Sequence, residues 1–276
     1  GAGVSCIVLS WPSLFAFLVI WKFGKFYRPM HVEKIAGPRW ELLKNHLHVG
    51  VPMGLSTFFE VSSFTLMAIF ISRLGEETVS AHQIVANLTS MLYMVPLSLG
   101  IASSVLISQS LGARWPAVAE FILRRTLKIS IVIAAVLATL LYLFKGNIIA
   151  LYTSDAGVAA TAAALVAFGC TYHVFDAMQA VSSFALRGYR VTRAPMFIYG
   201  IMLWGVGIGI GYQLAFGAEW AGGPYGAFGF WGATAVGLIL TGLSLLAMAL
   251  WVGRQRSRDE HHSPEEVERV IREARA

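Results

Sequence analysis

Two carboxylates stand inside apolar sequence with no neutralising partner nearby. Glu60 lies near the middle of an apolar stretch over 50–72, and Asp176 lies well inside another over 158–185; neither stretch contains a Lys or Arg. A carboxylate desolvated in this way must be protonated, hold a cation, or meet water in a cavity. Desolvation raises a carboxyl pKa and a bound cation lowers it, so such a group is suited to exchange H+ or Na+ against another cation. The alternative for each is a neutral acid hydrogen-bonded between helices. Tyr172 precedes Asp176 by one helical turn, which puts both on one face, and its hydroxyl could complete an oxygen site for a hard cation. Phe64 follows Glu60 by one turn and could offer its ring to an organic cation, with packing or lipid contact as the alternative. Gln83, Asn87 and Tyr93 make a further apolar stretch polar at intervals. Pro96 predicts a bend there, and Pro52 and Pro195 are expected near helix starts.

The elements that position these residues follow from composition. The 276 residues are 57% hydrophobic and 13% charged, about half the charge of an ordinary soluble domain. The apolar residues come in blocks long enough to cross a bilayer core, which takes about 20 residues of helix. Such blocks cover 5–23, 50–72, 81–109, 126–144, 158–185, 195–216 and 227–252. The expected fold is an all-α integral membrane protein: six transmembrane helices from residue 50 onward, preceded by one more. The chain opens Gly1-Ala2-Gly3 without an initiator Met or a basic start, so the 5–23 helix reads as the end of a preceding unit rather than a signal peptide.

Charge sorts the connections. Every one of the 21 Lys and Arg except Arg73 and Lys145 falls in the segment around 22–48, in the clusters Arg114–Lys128 and Arg187–Arg193, or in the tail after Val252. These four regions alternate with the others along the chain, so one side of the membrane receives nearly all the cations. The positive-inside rule makes that side, with the C-terminus, cytoplasmic. The same asymmetry accounts for the net charge of +6 without a nucleic-acid partner. Expected organisation is therefore a first helix over 1–23, a basic cytoplasmic link over 24–48, a six-helix lobe over 49–252 and a charged tail over 253–276. Within the tail, Ser263-Pro264-Glu265-Glu266 has the form of a capping box opening a short helix.

Several motifs carry no chemistry. The alternating glycines from Gly205 to Gly211 lack the preceding strand and the basic residue of a phosphate loop, and Gly207 and Gly211 fit close helix packing instead. His82 and His173 are candidate proton carriers without a metal-ligand set around them. Cys6 and Cys170 read as small residues in apolar stretches. No nucleophile motif brings Ser, His and Asp together, so an enzyme is not expected.

The order of these segments is familiar. Phe58-Phe59-Glu60-Val61, Leu74-Gly75, Ala81-His82-Gln83-Ile84, Met94-Val95-Pro96-Leu97, Leu151-Tyr152-Thr153-Ser154-Asp155, Tyr172 to Asp176, Leu186-Arg187-Gly188-Tyr189-Arg190 and Gly229-Phe230-Trp231-Gly232 together resemble the C-terminal half of the multidrug and toxic compound extrusion (MATE) transporters, NorM-like branch. The resemblance covers about residues 45–252. It implies two six-helix lobes around a central cavity, of which this chain would supply the C-terminal lobe, the link and the last helix of an N-terminal lobe that is missing here. It implies a coupling-cation site at Glu60, Tyr172 and Asp176, taking Na+ or H+, and substrate contacts at Phe64, Gln83, Tyr93 and Asp155. No cofactor beyond the coupling ion is implied. The implied activity is antiport of small organic cations across a bacterial inner membrane. Val191 stands where the family often has Asp, in a cytoplasmic connection. A related lipid-linked sugar flippase and a structural membrane subunit are the alternatives; flippases tend to have cationic cavities, and no cation here is expected mid-span.

Overall fold

A computed structural model of the chain describes residues 2–23, 37, 39–217, 219, 222–259 and 262–273. Helices account for the regular structure of these residues: α1 (Ala2–Phe23), α2 (Trp40–Ile71), α3 (Glu76–Gly112), α4 (Pro116–Ala150), α5 (Ala156–Gly188), α6 (Arg193–Tyr199), α7 (Gly211–Phe216), α8 (Gly226–Ser257) and α9 (Pro264–Glu273). A π-helical segment, Gly200–Ile210, joins α6 to α7 and makes one span of them. Among the described residues six helices are long and apolar enough to cross a membrane, the six expected from residue 50 onward, and Ser10–Phe23 within α1 is a shorter apolar helix. The chain is a multi-pass membrane protein. Lys25, Arg28 and Lys34 of the basic link lie outside the described residues.

The chain divides into two compact units, Gly1–Leu47 and His48–Ala276. In the first, Trp11, Phe15, Phe17 and Ile20 of α1 are exposed. In the second, α4 shows how each span divides its faces. Ile129, Val132, Val136, Leu140 and Leu143 are exposed, while Leu127, Ser130, Ala134, Ala138 and Leu141 are buried. Both sets repeat at three and four residues, the helical period. A water-soluble protein does not leave so long an apolar stripe uncovered, which fits a helix that crosses a membrane.

The helices extend past the apolar stretches that mark them. α2 begins at Trp40 and carries Glu41, Lys44, His46 and His48 before its apolar part. Polar residues continue a helix without contributing to hydropathy, so the expected start near 50 is corrected to 40. Pro52 is corrected with it: it lies inside α2, not near its start. The proline offers no N–H to the preceding turn, and the Ser56 hydroxyl donates to the Pro52 carbonyl at 2.8 Å. Pro195 does sit near a helix start, in the first turn of α6.

α5 and α8 are the most enclosed spans, and small residues bring their neighbours close. A Cβ at Gly169 of α5 would lie 2.8 Å from the Thr89 methyl of α3, and one at Gly188 would lie 2.9 Å from the Ser104 carbonyl. A Cβ at Gly242 of α8 would lie 2.5 Å from the Phe175 carbonyl of α5. α7 packs on α8 in the same way: a Cβ at Gly211 would lie 3.0 Å from the Phe230 ring. These contacts are the close approach that small residues permit between membrane helices. They fix α5, which carries Asp176, against both α3 and α8.

Two basic-side helix ends share one device. α3 ends with Trp115 N–H donating to the Ser110 carbonyl at 2.8 Å, and α5 ends with Val191 N–H donating to the Leu186 carbonyl at 2.8 Å. Arg114 and Arg190 take the left-handed position at φ 64° and 62°. This is the Schellman closure, which satisfies the last carbonyls of the helix. It stops α5 just after Arg187. α9 opens on the expected capping box: Ser263 N–H donates to a Glu266 carboxylate oxygen at 3.0 Å, and Glu266 N–H donates to Ser263 Oγ at 3.3 Å.

Candidate cation and substrate site

Four helices of the second unit line one cavity of about 640 Å³, within the size range of small-molecule sites. α2 contributes Thr57, Glu60, Val61, Phe64, Thr65 and Ala68, and α3 contributes His82, Gln83, Ala86, Thr89, Ser90, Tyr93 and Leu97. Both sets step by three and four residues, so each is a single helix face. α5 adds Tyr172, Asp176, Phe184 and Arg187, and α8 adds Trp231 and Thr234. Six of the seven expected site residues (Glu60, Tyr172, Asp176, Phe64, Gln83 and Tyr93) thus share this lining. Asp155 does not. It is the N-cap of α5, where its carboxylate accepts from Val158 N–H at 2.9 Å. A capping position suits a short acid for structural reasons alone.

Glu60 is held from two sides. Its Oε1 accepts from the Tyr93 hydroxyl at 3.0 Å and from Gln179 Nε2 at 3.0 Å. The Gln179 amide also meets the Tyr199 hydroxyl of α6. Gln179 is fully buried, so α2, α3, α5 and α6 meet at one polar cluster. Asp176 differs: it is buried, it lines the cavity, and no described residue donates a hydrogen bond to it. Its oxygens retain their full capacity to take a proton or a cation. Glu60 and Asp176 line the same cavity, so one occupant of it can answer to both carboxylates.

Aromatic rings build much of the remaining wall. Tyr172 stacks on Trp231 at 6.1 Å between centroids, and His82 meets the same indole edge-on at 5.7 Å. Phe64 is partly exposed toward the cavity it lines. His82 lines the cavity with its Nδ1 unpartnered, while His173 is buried outside the lining with both ring nitrogens unpartnered. Asn87, the third polar residue of α3, lies elsewhere and accepts from the Tyr152 hydroxyl at 2.8 Å.

Three polar residues of the site escape a reading by span and loop. Gln179 and Tyr199 are uncharged and raise no alarm in an apolar stretch, although Gln179 lies three residues beyond Asp176, on the same face. Arg187 counts with the cytoplasmic cluster, yet the structure places it in the last turn of α5 with the cavity before it. Arg187 is not mid-span, in keeping with the expectation, yet from the helix end it still reaches the lining.

The MatE family model matches residues 52–213. The chain belongs to the MatE family. Among its relatives, a probable multidrug resistance protein NorM of Aromatoleum aromaticum is 39% identical over 241 residues, 87% of this chain and 52% of that protein. The probable NorM of Neisseria meningitidis serogroup B is 33% identical over 247 residues, 89% of this chain and 53% of that protein. The multidrug resistance protein PmpM of Pseudomonas aeruginosa is 36% identical over 198 residues, 72% of this chain and 41% of that protein. The chain spans about half the length of the curated relatives it matches. The fold agrees with solved MATE structures. The eukaryotic MATE transporter AtDTX14 superposes with a TM-score of 0.74 at 20% identity over 90% of this chain and 56% of that one. A MATE protein in a bent conformation superposes with a TM-score of 0.75 at 16% identity over 90% of this chain and 54% of that one.

Proposed function

We propose that this MatE lobe is the cation-coupled half of a multidrug efflux antiporter. It exchanges Na+ or H+ for small organic cations across a bacterial inner membrane, with its C-terminus in the cytoplasm. The observation that carries this reading is the shared lining: Glu60 and Asp176 face one cavity whose walls include Phe64, Tyr93, Tyr172 and Trp231. Carboxylates hold a small cation or a large one, but not both, and the aromatic walls favour the large one by cation–π and apolar contact. Competition for one charge supplies the coupling, provided the two occupants favour different conformations. Glu60, Tyr172 and Asp176 are assigned to the coupling ion. Phe64, Gln83 and Tyr93 are assigned to the organic cation. Asp155 is assigned to the helix end that it caps rather than to substrate.

Residues 49–252 are the transport lobe in this reading, and the cavity is completed by a second six-helix lobe, on the same polypeptide or a separate one. Relatives about twice as long support that. A flippase for anionic lipid-linked sugars is favoured by one observation, the guanidinium of Arg187 in the lining. Two carboxylates against one guanidinium set the balance toward cations. The test is ethidium efflux from cells expressing the complete gene product. Glu60→Gln and Asp176→Asn should each slow efflux about tenfold or more; wild-type rates in both would sink the assignment.

A further inference from the structure

A second cavity, of about 540 Å³, lies at the basic end of α8, against the turn between α5 and α6. It shares no lining residue with the cation site. Val191 and Ala194 form one wall, and Met248, Val252, Arg256 and Asp259 the other. The second set steps by four, four and three residues, so it is a single helix face. α8 itself ends at Ser257, but the winding carries on past it: Asp259 N–H donates to the Arg256 carbonyl at 3.1 Å. Trp251 also lines the cavity and is exposed.

Along this face the chemistry changes in the order met on leaving a bilayer. Met248 and Val252 are apolar, Trp251 offers the indole favoured at membrane interfaces, and charge begins at Arg256. Arg256 lies roughly 6 Å of helix rise beyond Val252, about the depth of one headgroup layer. The charges are of both signs. Arg256 and Asp259 are neighbours one turn apart, both exposed, and among the described residues neither joins an ion pair. A lipid phosphate alone would be drawn to Arg256 and repelled by Asp259. A headgroup with a phosphate and, two carbons further on, a primary ammonium answers to both. From this arrangement we propose that the cavity is a binding site for a phosphatidylethanolamine-type lipid of the leaflet on the C-terminal side. The forked N–H donors of Arg256 take the phosphate, Asp259 accepts from the ammonium, and an acyl chain lies between Val191 and Met248. A lipid so held bridges the α5–α6 turn and α8. The proposal rests on the membrane crossing of α8 and not on what the other cavity transports, so either can fail alone.

The test is native mass spectrometry of the purified complete gene product, titrated with three lipids of identical acyl chains. Phosphatidylethanolamine carries the phosphate and the primary ammonium, phosphatidylglycerol the phosphate alone, and phosphatidylcholine an ammonium without N–H donors. Wild type is expected to retain one phosphatidylethanolamine about fivefold more tightly than either of the others, the weight of one charge at a membrane surface. Asp259→Asn is expected to lower that affinity to the level of phosphatidylglycerol. Arg256→Gln is expected to weaken phosphatidylethanolamine and phosphatidylglycerol alike, each about fivefold. Equal retention of the three lipids by wild type overturns the site, as does a preference that survives unchanged in both variants. Tightest retention of phosphatidylglycerol, raised further by Asp259→Asn, shows a site for anionic lipid and overturns the proposal.

Discussion

Glu60 receives hydrogen bonds from Tyr93 on α3 and Gln179 on α5, so one carboxylate ties three helices together. Replacing Gln179 by Leu removes a buried donor from Glu60 and deprives the Tyr199 hydroxyl of its amide partner. The expected cost is roughly 1–3 kcal/mol, read as a lower thermal midpoint of the purified protein. An unchanged midpoint would mean that the Gln179 contact contributes nothing. At this scale the sequence reveals what is costly and hides what is cheap. Glu60 and Asp176 are legible because an ionised group in an apolar helix demands an explanation. Gln179 and Tyr199 are not, because neutral polar residues occur in membrane helices for many reasons. Arg187 is misread for another cause. Counting charges by loop assigns a residue at a helix end to water, and only the side-chain contacts with Thr57 and Phe184 hold it in the lining. Asp155 shows the converse: a family resemblance places an acid near substrate, and the local geometry gives it a cap.

Glycines set the spacing between the helices that carry the site. Gly242→Ala would put a Cβ 2.5 Å from the Phe175 carbonyl, so α8 must move away from α5 in the turn next to Asp176. The expected destabilisation is about 1–3 kcal/mol. Gly54→Ala is the matched control, since nothing lies within 4 Å of its Cβ position; helix propensity alone should stabilise it by up to about 1 kcal/mol. Thermal melts of the two variants in one detergent should therefore shift in opposite directions. Hydropathy makes the spans themselves legible, but it cannot find ends where polar residues continue the helix, as at Trp40–Leu47. It is also blind to the π-helical segment Gly200–Ile210, whose backbone register depends on packing against α8. α9 is readable down to its cap, because the capping box is a local sequence signal. There the Ser263 backbone N–H and hydroxyl hold the Glu266 carboxyl below its usual range. A lowered pKa in the folded state stabilises the cap above the ordinary glutamate range, and that contribution is lost as pH falls through the lowered value. The Ser263 amide shift, followed by NMR, should titrate with an acid midpoint below about 4.3, the ordinary glutamate value. A midpoint at or above it would show that the box does not form.

At the scale of the whole molecule, loop charge and span count agree on one topology without reference to any relative, and the MatE match adds the family to which the spans belong. The convergence of α2, α3, α5 and α8 on one cavity is not readable from either, because it depends on which face each helix turns to its neighbours. The central claim is that one pair of carboxylates serves small and organic cations in competition. Its most direct test is ethidium binding to the purified complete gene product in nanodiscs, titrated with Na+ at fixed pH and with pH at fixed Na+, for wild type, Glu60→Gln and Asp176→Asn. Wild type should release ethidium as either Na+ or H+ rises, and each variant should bind it at least about tenfold more weakly and lose that dependence. Ethidium binding that ignores both ions in wild type, or that persists unchanged in Glu60→Gln and Asp176→Asn, would contradict it.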